Sequence, residues 1–476
     1  MSSKKLNTVC NIDKILEDEI KKKNNNQYYV LHSKEISLSR KSVKKNYRPS
    51  NDLTQKNSLQ YYIIYNDKEI IVSIGDIIPC SEFGRGGHAN ALINIVKILD
   101  LNNPTVNNPT VNKIYCGKII NYKKPNEFLF YQYIYNNITE FENFSKFICE
   151  YKGVIKFNNI YYIIIENAKN NLKNTITIDF KIGKVTYYEG ENSSNCTNTE
   201  NSHLKKTKLN ILNSHTMSSL IGTRIGGITG INEIGSMFYS TSSEYVNNIN
   251  NFIEQITLDK VTSINIVDRN NKIKKIYNTP FSNSYSICKK HLKIILSASF
   301  SSFSSSIALS IFSILDKRSE KLILMRVNPL KILDVLFIEK KINLDILYNF
   351  KEILNDIILT FIIPNFYSSR PFSFVASSFL FIIGNDANNK KVGSIKLIDF
   401  GHPVNLFMNK IKLNNSKTPI IKKSLYDYSL SIINLYFIIS YFIYCKNEIK
   451  NWVNKEETAI LNSLVSILSH HDEMQK

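Results

Sequence analysis

The sequence predicts an α+β chain of two lobes, a small β-rich N-lobe over residues 58–168 and a larger mixed C-lobe over residues 169–476. Three observations carry that reading. From Tyr61 a polar stretch gives way to Tyr61-Tyr-Ile-Ile-Tyr and Ile70-Ile-Val-Ser-Ile, the β-branched and aromatic mix of strands. Val154-Ile155 and Tyr161-Tyr-Ile-Ile-Ile-Glu166 flank Phe157-Asn-Asn-Ile, the pattern of a hairpin. Beyond Glu166 the chain mixes strand and helix patterns, returns to strand at Phe379-Leu-Phe-Ile-Ile and Ile395-Lys-Leu-Ile-Asp-Phe, and closes with helices.

In chain order, residues 1–57 are polar and basic, with Lys21-Lys22-Lys23-Asn24 and Arg40-Lys41, and read as a largely disordered extension. The perfect duplication of Asn-Asn-Pro-Thr-Val at Asn102 and Asn107 marks an Asn-rich insertion near 97–112 rather than a structural repeat. Lys113-Ile-Tyr-Cys-Gly-Lys-Ile-Ile reads as a strand, and Glu127-Phe-Leu-Phe-Tyr-Gln-Tyr-Ile-Tyr as a helix with an aromatic face. A strand is expected over Thr175–Phe180, a flexible loop over 189–203, Gly-rich turns between short strands over 217–240, and a Ser-rich insertion over about 270–345.

A chain of 476 residues with 43% apolar side chains can bury a sizeable core, in two to three domains or one large two-lobed unit. The formal charge of +20 favours an anionic partner. Lys, Asn, Ile and Tyr are all abundant, as in an AT-rich coding bias, so bulk charge carries only modest weight. Seven scattered cysteines without a Cys-x-x-Cys argue against a disulfide framework or a zinc site and fit a reducing compartment. Met1-Ser-Ser-Lys-Lys lacks the apolar stretch of a signal peptide. Three apolar segments, 293–315, 352–364 and 428–444, read as buried helices, so no membrane span is expected; the last falls short of the roughly 20 residues a bilayer needs.

The chemistry concentrates in Ile178-Asp179-Phe180-Lys181-Ile182-Gly183 and, about two hundred residues on, Ile398-Asp399-Phe400. Asp179 and Lys181, two apart on a strand, share a face. An acid that holds the nucleotide or the attacking hydroxyl, a lysine that neutralises the moving phosphoryl and a distant carboxylate for Mg2+ are what phosphoryl transfer from ATP asks for. A β-rich lobe joined near Glu166 to a mixed lobe suits such a site. Taken singly, Asp179 and Lys181 fit a structural ion pair equally well, and Asp399 a loop acid.

Taken in order, these strings resemble the inositol polyphosphate kinase family, whose hallmark is Pro-x-x-x-Asp-x-Lys-x-Gly; here it runs from Thr175, in place of the proline, to Gly183. Five further strings are similar: Gly86-Gly87-His88, Glu150-Tyr151-Lys152-Gly153-Val154, Ile221-Gly222-Thr223-Arg224-Ile225-Gly226-Gly227, Ser377-Ser378-Phe379-Leu380, and Ile398-Asp399-Phe400-Gly401-His402. They span roughly residues 75–445. One departure is Phe238-Tyr-Ser-Thr-Ser-Ser, which lacks the Gly-Arg the family places there.

The resemblance implies the two-lobed inositol polyphosphate kinase fold, related to protein kinases and ATP-grasp enzymes, with ATP and Mg2+ as cofactors and an inositol polyphosphate as substrate. It assigns Asp179 and Lys181 to catalysis. Lys118, Glu166, Ala168, Asp179 and Asp399 fall to ATP, with Lys118 on the phosphates, the Glu166 and Ala168 backbone on adenine, and Asp399 on the metal. Lys181, Lys205, Lys208, His402 and, more weakly, Lys123 or Lys124 fall to the inositol phosphate. Lys205 and Lys208 share a helical face at i, i+3, although such a charge run also suits a solvated surface. Lys118 by itself is also an ordinary strand-end lysine, Glu166 a solvated loop acid, His402 a structural histidine, and Arg224 a structural arginine. Gly86-Gly87-His88 and Glu150-Tyr-Lys-Gly look most like the inositol hexakisphosphate kinases, which make an inositol pyrophosphate. A multikinase phosphorylating ring hydroxyls is the alternative, and a non-catalytic inositol-phosphate sensor a third. No nucleic-acid recognition motif is present, and an intracellular location, cytoplasmic or nuclear, is expected.

Overall fold

The computed structural model describes residues 59–65, 68–77, 92–100, 115–120, 126–157, 160–169, 171–185, 213, 216–231, 248–255, 265–267, 273–275, 281–298, 327–368, 371–404, 418–447 and 455–475. The basic extension at 1–57, Gly86-Gly87-His88, Lys123, Lys124, Lys205 and Lys208 lie outside them, as does the Ser-rich tract from 299. The described chain is mixed α and β with antiparallel sheets, and it divides into two units. The first holds the described residues up to 132 and those of 149–171; the second holds 133–148 and everything from 172.

The first unit is one antiparallel sheet in the order β1-β2-β3-β4-β6-β5, from β1 (Leu59–Tyr65), β2 (Lys68–Ile77), β3 (Leu92–Asp100), β4 (Tyr115–Ile119), β5 (Tyr151–Phe157) and β6 (Ile160–Glu166). The β5–β6 hairpin turns where the Phe157-Asn-Asn-Ile pattern puts it, with Phe157 paired to Ile160. The start of the Asn-rich stretch, residues 97–100, is the end of β3, so that element extends further than its composition suggests. Helix α1 (Asn126–Asn136) begins in this unit and buries Phe128, Phe130 and Tyr131; Tyr131 stacks on Tyr151 at 5.9 Å between ring centroids.

The second unit is built on a four-stranded antiparallel sheet in the order β13-β12-β7-β8, from β7 (Lys173–Ile182), β8 (Thr223–Thr229), β12 (Ser378–Asn385) and β13 (Lys391–Ile398). Period-2 alternation shows around the motif residues, while β8 is buried throughout. Ile178, Phe180, Ile182, Phe379, Phe381, Ile395 and Leu397 are buried on one face, while Asp179, Lys181, Leu380, Lys396 and Ile398 stay half-exposed on the other. Phe381 lies between Phe180 and Phe350, at 4.9 and 4.7 Å between centroids. Residues 133–148, expected in the N-lobe, belong to this unit because Phe141 and Phe144, the latter on α2 (Glu142–Ser145), pack on Phe372, Phe361, Phe374 and Phe400.

The remaining elements are α3 (Met217–Ile221), α4 (Ile249–Gln255), a β9 (Asn265–Val267) and β10 (Ile273–Lys275) ribbon, α5 (Phe281–Ala298), α6 (Pro329–Ile338), α7 (Leu344–Ile357), α8 (Ile363–Phe366), a β11 (Ser373–Phe374) and β14 (Pro403–Val404) pair, α9 (Thr418–Asn447) and α10 (Lys455–Gln475). Asn328 caps α6 by accepting from the Leu330 amide at 2.7 Å, ahead of Pro329, and Asn343 caps α7 by accepting from Ile346 at 3.0 Å. The stretch expected as an insertion over 270–345 thus contains α5 and α6, whose Cys288, Leu292, Ile295, Ile332, Leu333 and Leu336 are core residues. Between α7 and α8 the helix widens into a π turn, Ile358–Ile362. Pro364 follows; it cannot donate to the carbonyl four residues back, and its ring crowds that turn.

Helix α9 meets the length and composition of a membrane span over Lys422–Asn447, yet 89% of its apolar window is buried within the fold. That agrees with the buried-helix reading of 428–444. Charges inside the helical layer come in pairs: Glu457 with Lys351, and Asp334 with Lys446 at 3.2 Å. Phe381→Ala removes the ring that joins β12 to β7 and α7, and is expected to cost about 3–5 kcal/mol, read as a lowered midpoint in urea denaturation with an unchanged slope.

Candidate active site

The sheet order decides which motif residues meet. β12 lies between β7 and β13, so Lys181 pairs across to Ser378, and Ser378 to Ile398, the residue before Asp399. Paired residues share a face, and Ser378 is small and fully buried. The Lys181 side chain therefore crosses β12 to form an ion pair with Oδ2 of Asp399. Its Nζ also stands 3.6 Å from Oδ2 of Asp179, two residues away on the same strand. One ammonium thus serves two carboxylates separated by 220 positions. Side-chain exposures of 21% for Lys181, 19% for Asp179 and 37% for Asp399 leave the trio reachable but shielded from bulk water, where charge interactions are stronger than at an open surface.

Local backbone choices hold this arrangement. Asp399 has φ of 65°, the left-handed region that costs a non-glycine residue about 1–3 kcal/mol unless its surroundings enforce it. Phe400, next in line, is fully buried against Phe374 at 5.0 Å and Phe144 at 6.3 Å, which anchors the turn. Gly183 leaves β7 with φ of 104° and donates its amide to the Gly222 carbonyl at 2.8 Å. Gly222 ends α3 with φ of 76°, where a Cβ would fall 2.1 Å from Ser431 Oγ on α9. The glycines of the Asp-x-Lys-x-Gly and Ile-Gly-x-Arg strings are thus mechanical parts of one junction.

Gly226 and Arg224 sit beneath the acidic pair. The β7–β8 register slips between Asp179 and Phe180, which leaves Gly226 bulged. A Cβ there would lie 2.9 Å from Asp179 Oδ2 and 3.1 Å from Lys181 Cγ. Arg224 is buried, opposite Lys181 in register, and its Nη1 donates to Asn213 Oδ1 at 3.1 Å and Ser218 Oγ at 2.8 Å. Burial pushes its guanidinium down to about 10, an effect the nearby Asp179 carboxylate opposes. Arg224 is therefore a fixed, buried positive charge beside Asp179 rather than an exposed ligand group. Among the described residues, Asp179 Oδ1 is buried with no hydrogen-bond partner.

That orphaned oxygen bears on whether a metal could be held here. Among the described residues no group of three or more His, Cys, Asp or Glu is placed to hold one. Two hard carboxylates with a free oxygen nevertheless suit Mg2+, which is commonly held by one or two carboxylates with phosphates and water completing its shell. Asp399 and Asp179 fit that role.

The remaining expected residues stand as follows. Lys118, on β4 in the first unit, forms an ion pair with Glu127 of α1 at 2.7 Å, both partly buried. The Glu166 amide donates to the Glu150 carbonyl at 2.9 Å, and the Glu166 carboxylate accepts from the Glu150 amide at 3.4 Å, so this acid braces the end of the hairpin. Ala168 is half-exposed in the turn that follows. His402 is half-exposed, and its carbonyl accepts from the Val375 amide at 3.0 Å. Four contributors were not read from the sequence as parts of the site: Gly226, Ser378, Glu127 as the partner of Lys118, and the field of Arg224. The Gly226-Gly227 doublet beside an arginine was the available signal.

Gly226→Ala is expected to leave the fold intact, since the crowded atoms belong to the side chains of Asp179 and Lys181 and none to the backbone, while displacing the Asp179 carboxylate and the Lys181 stem. Gly401→Ala is the control, because no atom lies within 4 Å of the added carbon. Unchanged melting temperatures for both, with nucleotide or metal binding lowered only by Gly226→Ala, is the expected pair of results.

No protein-family model matches the chain, and no curated protein matches it. Among solved structures 25 chains match. One is an inositol phosphate multikinase from S. cerevisiae in complex with ADP and Mn2+, 16% identical over 66% of this chain and 94% of that one, with a TM-score of 0.31. A likeness that loose carries no argument about activity.

Proposed function

We propose that the chain is an ATP-dependent inositol phosphate kinase whose acceptor is inositol hexakisphosphate and whose product is an inositol pyrophosphate. The observation that carries the reading is the Lys181 ammonium set between Asp179 and Asp399 on the half-exposed sheet face. The ordered motifs from Glu150 to His402 support it. A non-catalytic sensor has no need of this trio intact.

In this reading Asp399, with Asp179 beside it, would hold Mg2+, which would supply positive charge against the ATP phosphates. Lys181 stabilises the negative charge that spreads over the phosphoryl oxygens in the transition state. Asp179 keeps Lys181 at the site before the metal is bound, and Arg224 keeps a buried positive charge beside Asp179. If the acceptor is a phosphate oxygen, it is already anionic, a new P–O bond to the γ-phosphorus replaces the one to ADP, and no proton has to move. If the acceptor is a ring hydroxyl, Asp179 is the carboxylate able to take its proton. His402 and the lysines at 205, 208 and 123 are assigned to the acceptor phosphates. Lys118, held by Glu127, is assigned to the ATP phosphates, and the Glu166 and Ala168 backbone to adenine. An intracellular site of action goes with that substrate.

Incubation with Mg-ATP and a panel of inositol phosphates, resolved by anion exchange, tests the proposal. The expected result is transfer to inositol hexakisphosphate, reduced on the order of a hundredfold or more by Asp399→Asn and by Lys181→Met. Preference for a less phosphorylated inositol makes the enzyme a multikinase. Binding without transfer, unaffected by Asp399→Asn, makes it a sensor and ends the enzyme reading. Glu127→Gln is expected to raise KM for ATP by about 3–10-fold, the weight of one hydrogen bond, in steady-state kinetics at saturating acceptor.

A further inference from the structure

Lys181 occupies oxygens that a divalent cation would also use. Its ammonium faces Oδ2 of Asp399 and Oδ2 of Asp179 at once, while Oδ1 of Asp179 is buried with no partner among the described residues. A buried oxygen left bare is costly, so the contact with Lys181 leaves Asp179 incompletely satisfied. Arg224 does not supply the missing donor: its Nη1 serves Asn213 and Ser218, and its buried Nε makes no hydrogen bond to Asp179 among the described residues. Lys181 can move: it is a point charge on a flexible stem. Its stem runs past the bare Cα of Gly226, where no side chain blocks it.

We propose that Lys181 is the resident counter-ion of the Asp179–Asp399 pair and competes with divalent cations for it. Lys181 becomes available to an anionic acceptor only after it has given that place up. The charge balance sets the direction. Two carboxylates against one ammonium, with the buried Arg224 guanidinium as the next charge, leave the group without the net positive charge that would hold a polyanion. With a divalent cation on the carboxylates the trio is net positive, and the released ammonium has three donors to offer. The trio is then an order-of-binding device, cation first and phosphorylated acceptor second. The consequence for the acceptor rests on the kinase reading; the competition itself concerns three side chains and is tested without substrate.

The test uses the full chain with Mn2+ and no nucleotide, followed by calorimetry. Lys181→Met is expected to bind Mn2+ about tenfold tighter than the parent, and Asp399→Asn to bind it more weakly than the parent. A second measurement, which needs no lysine variant, is the rate of Lys181 acetylation by an amine-selective reagent, read by mass spectrometry. Saturating Mg2+ is expected to speed it several-fold in the parent, whereas in Asp399→Asn it starts fast and gains little. Equal or weaker Mn2+ binding by Lys181→Met, no Mn2+ binding by either protein, or an acetylation rate indifferent to Mg2+ would each overturn the proposal. Absence of phosphate transfer with the competition intact would sink the kinase reading alone.

Discussion

The Lys181 ion pair with Asp399 is the constraint around which the second unit is arranged. Two carboxylates and one ammonium, partly shielded from water, hold together only while each keeps its place, since a shielded charge without its partner is expensive. The partners lie 218 residues apart, so no local preference can bring them together. The strand order does it, by setting β12 between β7 and β13 and opening that strand with a serine small enough to cross.

Much of the surrounding chemistry follows from making room for that contact. Gly226 removes a side chain that would strike both Asp179 and Lys181. Gly183 and Gly222 tie the end of β7 to the start of β8 through backbone angles other residues avoid. Asp399 accepts a strained backbone, and the buried Phe400 next to it keeps the strain from relaxing. On the reverse of the same sheet, Phe180, Phe379 and Phe381 form a packed aromatic floor that stiffens the strands carrying the charged face. Rigidity behind and polarity in front come from a single period-2 pattern.

Several parts of this were legible beforehand because they depend on short-range rules. The β5–β6 hairpin follows from β-branched runs either side of Phe157-Asn-Asn-Ile, and the shared face of Asp179 and Lys181 from a spacing of two. The burial of α9 follows from a segment apolar on all sides yet dotted with Ser429, Ser431 and Ser440, which pack closely inside a fold. The assignment of residues 133–148 to the second unit was not legible, since Phe141 and Phe144 find their partners at Phe361, Phe372 and Phe374. Nor was the core role of α6, whose neighbourhood is dominated by a Ser-rich tract that masks its apolar face.

By itself the sequence determined the kinds of groups available: an acid, a lysine and a glycine at strand spacing, a second acid after an apolar run, and a charge excess suited to anions. Those depend on residue identity and on the geometry of one strand. Only the tertiary structure decided that Lys181 reaches across β12 to Asp399, that Arg224 is buried beside the pair rather than offered to a ligand, and that Gly226 is bare because two side chains lie against it. These depend on register between strands distant in sequence, and register is set by the packing of whole faces rather than by the preferences of neighbours along the chain.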